Sequence, residues 1–514
     1  MHSLEALRRA AKNLRKSYQS GHPAAAERLA VHPPRRDLGT LTHADFLHVI
    51  ANENDFSSWP ALKLAVEING MDRARKQQRL KIALFHGQNT VVDRLLEDSP
   101  DLSRGLLGLQ IALYDLAAVK LALEKDPEAA VRQLGPRRPI LHLAFSKYFQ
   151  AHPEKSENMM AIASLLVDHG ADVNDGFPAE PGSDHLLSAL YGALGHADNM
   201  QLAEWLLDKG ADPNDNESLY HSTELGHHEG LRLLIQHGAR PAGTNSLLRA
   251  LDFNDHTAVE MLLGAGADPN EGAMPHPSGQ APMVVGAIHQ AGRRMCDANM
   301  ARLLLRAGAD PNSLYEGMNA YALSLIFGNH QVAEVIKEAG GATDIPGALQ
   351  ALVSICQEAP EAQNIDPAIL PKECRYILHN LIHLPGTYSY ITRLVGAGMP
   401  TDLVDDMGMT PVHISGWEGL PDLMQFFLAH KPNLNHVNKY GGTLLSTVIH
   451  GSENAPNRSE RDHIGCARLA LEAGVDLPRR AIELAGDDEM AEFLDEWSKD
   501  HPDQVADIGS AQHA

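Results

Sequence analysis

The sequence predicts an all-α fold made of short helix pairs stacked one on the next, and three observations carry that prediction. The first is a phrase that recurs at the end of a helix. It reads Leu165-Leu166-Val167-Asp168-His169-Gly170-Ala171-Asp172-Val173-Asn174 and returns as Leu206-Leu207-Asp208-Lys209-Gly210-Ala211-Asp212-Pro213-Asn214, then as Gly266-Ala267-Asp268-Pro269-Asn270 and Gly308-Ala309-Asp310-Pro311-Asn312. Leu-Leu is the buried end of a helix, Gly its left-handed stop, and Asp and Asn suit the turn that follows. The second observation is length, since 514 residues exceed what one compact core holds. The third is composition: 44% hydrophobic residues exclude wholesale disorder, and 5% aromatics suit thin helical layers better than one large core.

Residues 1–69 read as a small helical region. Leu4, Leu7, Ala11 and Leu14 share one face of a first helix, and residues 24–30 make a second. Thr42 is placed to cap a third, and Ser57 or Ser58 a fourth with Pro60 in its first turn. Phe56 and Trp59 are placed to fill the groove between helices. The run Phe56-Ser57-Ser58-Trp59-Pro60-Ala61-Leu62-Lys63, with Leu41-Thr42-His43-Ala44 ahead of it, resembles the helical module that precedes ankyrin arrays in many bacterial proteins. That resemblance implies an architecture and no catalysis.

Helix pairs take over from about residue 77. Weaker copies of the phrase fall at Gly238, Gly340, Gly398, Lys431 and Gly474, and earlier ones without the Gly end near Pro100 and Pro127. About eleven irregular units therefore run over 77–477, with capping helices over 478–500 and a disordered tail over 501–514. The steps from Ala211 to Ala239 and from Ala239 to Ala267 are 28 residues each, too short for a projecting hairpin. The steps of 40 and 42 residues on either side carry inserts rich in Pro and Gly, over 175–184 and 271–280. The 58 residues from Gly341 to Met399 leave room for an extra helix over roughly 347–358.

The clearest single unit is Asp405-Asp406-Met407-Gly408-Met409-Thr410-Pro411-Val412-His413-Ile414-Ser415-Gly416-Trp417-Glu418-Gly419 with the apolar run 423–428 after it. Pro411 suits a first helical turn, and Ser415 and Gly416 let a second helix pack closely. Thr410-Pro411-Val412-His413 resembles the Thr-Pro-Leu-His signature of ankyrin repeats. The resemblance implies an ankyrin-repeat solenoid, all-α with some β-hairpin fingers, and a protein partner on its concave face and fingers.

Net charge is −23, unevenly spread. Residues 1–81 carry 14 Lys and Arg against 8 Asp and Glu, a balance of +6, and the remainder carries 29 against 58, a balance of −29. An acidic body disfavours nucleic acid and favours a basic protein partner, while the basic start leaves nucleic-acid tethering as an alternative. No run of about 18 apolar residues would span a membrane. Four separated cysteines, Cys296, Cys356, Cys374 and Cys466, fit reduced thiols in a cytoplasm.

Twenty-eight histidines raise a metal or hydrolytic alternative. His379 and His383 stand at i and i+4, but the glutamate of a His-Glu-x-x-His site is missing. His379 instead aligns with His142 and His413, the motif position whose imidazole ties turn to inner helix, so a structural role is expected. No nucleophile elbow or phosphate-cradling glycine loop occurs, and neither cofactor nor metal is expected. Aligning the inner helices places two residues per unit on the concave face: Ser146 and Lys147, Glu224 and Leu225, Asp252 and Phe253, Ile326 and Phe327, His383 and Leu384, Trp417 and Glu418. Mixed large apolar and acidic side chains suit an aromatic-anchored protein interface, with Trp417 its leading anchor. The expectation is a non-catalytic, monomeric scaffold.

Overall fold

Helix starts are written in side chains. The computed structural model describes residues 3–34, 41, 43–179, 182–271, 285–358, 364–455, 458–485 and 488–506. The first helix, Leu4–Gln19, begins where the Ser3 side chain accepts the Ala6 N–H. The helix Trp59–Asn69 begins likewise at Ser58, which accepts the Ala61 N–H with Pro60 in the first turn. Together with Pro23–Val31 and His43–Glu53, these helices enclose a core that includes Leu7, Leu14, Leu29, Phe46, Ile50, Trp59 and Leu62. Trp59 is buried there and Phe56 packs at its margin. Thr42, the expected cap of the third helix, lies outside the described residues.

Helix ends are equally local. After the helix Ser156–Asp168, Gly170 takes φ +91°, and the Ala171 N–H reaches back to Leu166 O at 3.0 Å. That is the left-handed stop that satisfies a carbonyl the helix leaves open. The same bond closes the helices before Ala211, Ala239, Ala267 and Ala309. Lys431 adopts the left-handed position at φ +56° in a unit that lacks the glycine.

The Asp and Asn of the phrase then divide two tasks. Asp172 Oδ1 accepts the Asn174 N–H at 2.9 Å, closing the turn on itself. Asn174 Oδ1 accepts the N–H of Asp212, the Asp of the next copy of the phrase, at 2.8 Å, and its Nδ2 donates to Gly210 O at 3.3 Å. Asn214 repeats the bond to Arg240, and Asn312 to Ala342. The asparagine is thus a clamp between successive turns.

Fingers appear where spacing allows them. Strand Gly176–Pro178 pairs antiparallel with Leu186–Ser188, and Leu314–Tyr315 with Met318–Asn319. No strand forms in the short units over 212–267. An added helix occupies Gly347–Cys356. The insert near 271–280 lies almost wholly outside the described residues.

The chain forms two compact units. One comprises 1–290 with 303–309, and the other 291–302 with 310–514. In the second, the buried Arg293 pairs with Glu373 at 2.9 Å, and Tyr315 and Asn380 donate to the same carboxylate, pinning the finger strand to the helices Lys372–Arg375 and Ile377–Ile382. The expected tail over 501–514 needs correction for its first six residues. Pro502–Gln504 form a 3-10 turn, and Val505–Ala506 pair in parallel with Leu477–Pro478. Gln504 holds them: its Nε2 donates to Leu471 O and Val475 O at 2.7 Å each, and its Oε1 accepts from Trp497 Nε1 at 2.9 Å.

Candidate functional site

In the first unit, side chains at the ends of successive inner helices form a continuous track. It starts at Phe85, in the last turn of the helix Arg73–His86, whose ring stacks parallel to that of Phe145 with centroids 6.1 Å apart. Phe145 follows the helix Pro139–Ala144 and meets Phe177 of the finger edge-on at 5.1 Å and Tyr191 at 5.9 Å. Tyr191 lies 5.0 Å from the His221 ring. Beyond it Arg249 spreads over Tyr220 at 5.8 Å and over Phe253 at 4.7 Å. Phe253, 51% exposed, ends the track.

Along its second half runs a chain of charges. The buried Glu217 carboxylate stands between His185, at 2.7 Å, and His221, at 2.9 Å. The contact with His185 is an ion-pair distance without hydrogen-bond geometry. His221 reaches Glu224 at 2.6 Å, Arg249 links Glu224 at 2.7 Å to Asp252 at 2.8 Å, and Gln290 Nε2 donates to Asp252 at 2.6 Å. Burial opposes charge on His221, but its hydrogen bonds to Glu217 and Glu224 prevail and raise its pKa to about 9. Burial likewise opposes charge on Glu224, yet His221 and Arg249 hold its pKa below the usual range. The imidazole is therefore a fixed cation at neutral pH.

The first half holds a different cation. Arg137 lies over Phe85, Phe145 and Phe177 at 4.6, 4.7 and 4.4 Å. Beside it His196 packs on Phe85 at 4.2 Å, and its Nε2 meets Phe85 O at 2.8 Å. Burial first, and then the neighbouring charges of Lys147 and Arg137, depress the His196 pKa to about 4.

Of the residues placed on the concave face by alignment, Glu224, Asp252 and Phe253 join this network, with Leu225 half-buried next to Glu224. Ser146 is buried, its hydroxyl donating to Ala112 O at 2.6 Å, while Lys147 is half-buried. Ile326 and Phe327 require correction: both are buried, at 0% and 4% exposure, so neither is presented on a binding face. Trp417 is half-buried in the second unit, its ring 5.2 Å from that of the exposed His450. Glu418 there pairs with His383 at 2.9 Å, and Leu384 is half-buried. Gly416 and Gly419 beside Trp417 serve packing, for an added Cβ would meet Val448 at 2.7 Å and His463 at 2.7 Å.

The motif histidines bond to backbone or to a hydroxyl. His142 Nε2 meets Leu134 O at 3.0 Å and His379 Nε2 meets Leu403 O at 3.0 Å. His413 Nδ1 shares a 2.7 Å hydrogen bond with Thr410 Oγ1. Pro411 begins its helix at the first position. Among the described residues no group of three or more His, Cys, Asp or Glu side chains is arranged to hold a metal. Arg137, His185, Glu217, His221, Arg249 and Gln290 are site residues that alignment of the repeats did not single out.

A family model described as ankyrin repeats matches residues 190–273 in three copies. These are ankyrin repeats. The matched stretch contains the track from Tyr191 to Phe253, leaving His185 and Gln290 just outside, and the same turn chemistry extends on both sides of it. No curated protein matches the chain. Solved structures do, among them the human ASB11 ankyrin repeat domain at 16% identity, covering 48% of this chain and 95% of that one. Its TM-score is 0.24, so that likeness adds nothing to the argument from geometry.

Proposed function

We propose that the chain is a non-catalytic scaffold whose ankyrin repeats hold another protein. The observation that carries this reading is Phe253. A phenylalanine 51% exposed is held rigid by Arg249, itself fixed by Glu224 and Asp252. A rigid, half-exposed aromatic ringed by paired charges is the form that interface anchors take. Trp417, next in sequence to the Glu418 that pairs with His383, offers a second anchor in the other unit. The acidic excess beyond residue 81 favours a partner with a basic rim, which would be steered to the face. No described helix is long and apolar enough to cross a membrane. A cytoplasmic, monomeric adaptor is the form we propose.

The test is cross-linked capture from the source cells followed by binding measurements with the recovered partner. Phe253→Ala and Trp417→Ala are each expected to weaken binding by about 2 kcal/mol while leaving the melting temperature nearly unchanged. Trp59→Ala, in the N-terminal core, is expected to lower stability and leave affinity as it was. Equal affinity in the parent and both anchor variants would overturn the assignment.

A further inference from the structure

Among the described residues Arg137 is a cation without a counter-ion. Other arginines of its unit have carboxylates: Arg138 pairs with Asp175, Arg132 with Asp126 and Arg249 with Glu224. Among the described residues Arg137 has three phenyl rings within 4.7 Å and no acidic partner. Its Nε is buried with no hydrogen bond, and burial alone pulls its pKa down to about 10. Leaving a guanidinium half-dehydrated and unpaired is costly, and a protein with a net charge of −23 has no shortage of carboxylates to answer it.

The residue is also held in place. Its carbonyl accepts the Leu134 N–H at 2.8 Å across a tight hairpin, and His142 fixes that hairpin through Leu134 O. Phe85, Phe145 and Phe177 come from three separate elements and converge on the guanidinium. Only Nε among its nitrogens is buried without a partner, so the forked end is not enclosed. The charge of the half-buried Lys147 adds to the positive field that keeps His196 neutral.

We propose that Arg137 is the receptor for one carboxylate, carried by an Asp or Glu side chain of the partner protein. The inference rests on the reading of this track as a protein-binding face. A planar guanidinium clamped by rings presents two parallel N–H groups, which match a carboxylate edge to edge. A phosphate dianion would need more donors than one fork and one nearby ammonium supply. The surroundings sharpen the selection. On a face rich in acidic residues a misplaced carboxylate is repelled, and at Arg137 it is answered, so one acidic residue would set the register of a partner with a basic rim.

The test is selection of peptides from a random heptapeptide phage library on the immobilised full-length chain, repeated with R137Q and R137K. The parent is expected to enrich Asp or Glu at one fixed position, and R137Q to lose that preference while keeping any aromatic one. A synthetic peptide from the parent selection is expected to bind at least about tenfold tighter than its Gln counterpart. R137K, which keeps the charge without the fork, should preserve the preference at reduced affinity, and serves as the decisive variant if R137Q melts early. Aromatic positions without an acidic one would overturn the role of Arg137 and leave the binding face standing. No selected peptide at all would overturn both. Persistence of the acidic position in R137Q, or displacement by inorganic phosphate where acetate has no effect, would overturn the carboxylate assignment.

Discussion

His142 and His413 hold corresponding positions in their repeats and close different contacts. His142 reaches back to Leu134 O, whereas His413 bonds through Nδ1 to Thr410 of its own repeat and leaves its buried Nε2 without a partner, and His436 supplies the ring that meets Gly408 O at 2.7 Å. His413 and Thr410 are 1% and 6% exposed, so removing the imidazole leaves a buried hydroxyl without its partner. His413→Ala is expected to cost about 1–2 kcal/mol in urea unfolding, with metal content by mass spectrometry the same in parent and variant. A loss below about 0.5 kcal/mol would mean that the bond is not structural. Gly192 is the second residue on which packing turns. A Cβ there would lie 2.5 Å from the Phe145 ring, so Gly192→Ala should push that ring from the cage and cost about 1–3 kcal/mol in thermal unfolding. The motif histidines were legible in sequence because the repeat itself places them. Arg137 was not, because its three phenylalanines lie in segments of irregular spacing, and no periodic pattern aligns positions 85, 145 and 177. Ile326 and Phe327 were misplaced for the opposite reason. Alignment gives them the positions of Asp252 and Phe253, but burial follows from what the neighbouring helices press against them, which a single repeat does not encode.

Elements were more legible than sites. Ser58 capping, the left-handed glycine stops, the added helix and the absence of strands over 212–267 each follow from a few adjacent residues. The asparagine clamp was hidden by its own suitability for turns, since Asn174 fits its turn even without the bond to Asp212. The C-terminal segment was hidden by its polarity. What orders 501–506 is one side chain, Gln504, whose amide donates to Val475 O and shares Leu471 O with the Gly474 N–H. Gln504→Ala removes both bonds and strands the Trp497 indole N–H. It is expected to cost about 1–3 kcal/mol and to make 501–506 the first segment cut in limited proteolysis. Equal cleavage of parent and variant would show that strand pairing with Leu477–Pro478 is enough to hold it.

For the whole molecule, the five histidines with shifted pKa values divide into two sets with opposite consequences for stability. His196 and His413 have folded-state pKa values near 4, set first by burial, and His142 and His379 are shifted the same way. Between pH 6.5 and 4 the unfolded chain therefore binds more protons than the folded one, and stability falls as the solution is acidified. His221 works in reverse, with a folded value near 9 against about 6.5 when unfolded. Its contribution is complete below pH 6.5 and is lost as pH rises through 9. The melting temperature is thus expected to pass through a maximum near pH 6.5. His221→Gln should be less stable than the parent at that maximum and should flatten the alkaline limb, which in the parent amounts to about 2 kcal/mol after allowance for solvent around a partly exposed ring. His413→Gln should instead flatten part of the acid limb and leave the alkaline one alone. An alkaline limb of equal slope in the parent and His221→Gln would show that the imidazole is not held as a cation between Glu217 and Glu224. The charge chain along the track would then be one link shorter than the distances imply.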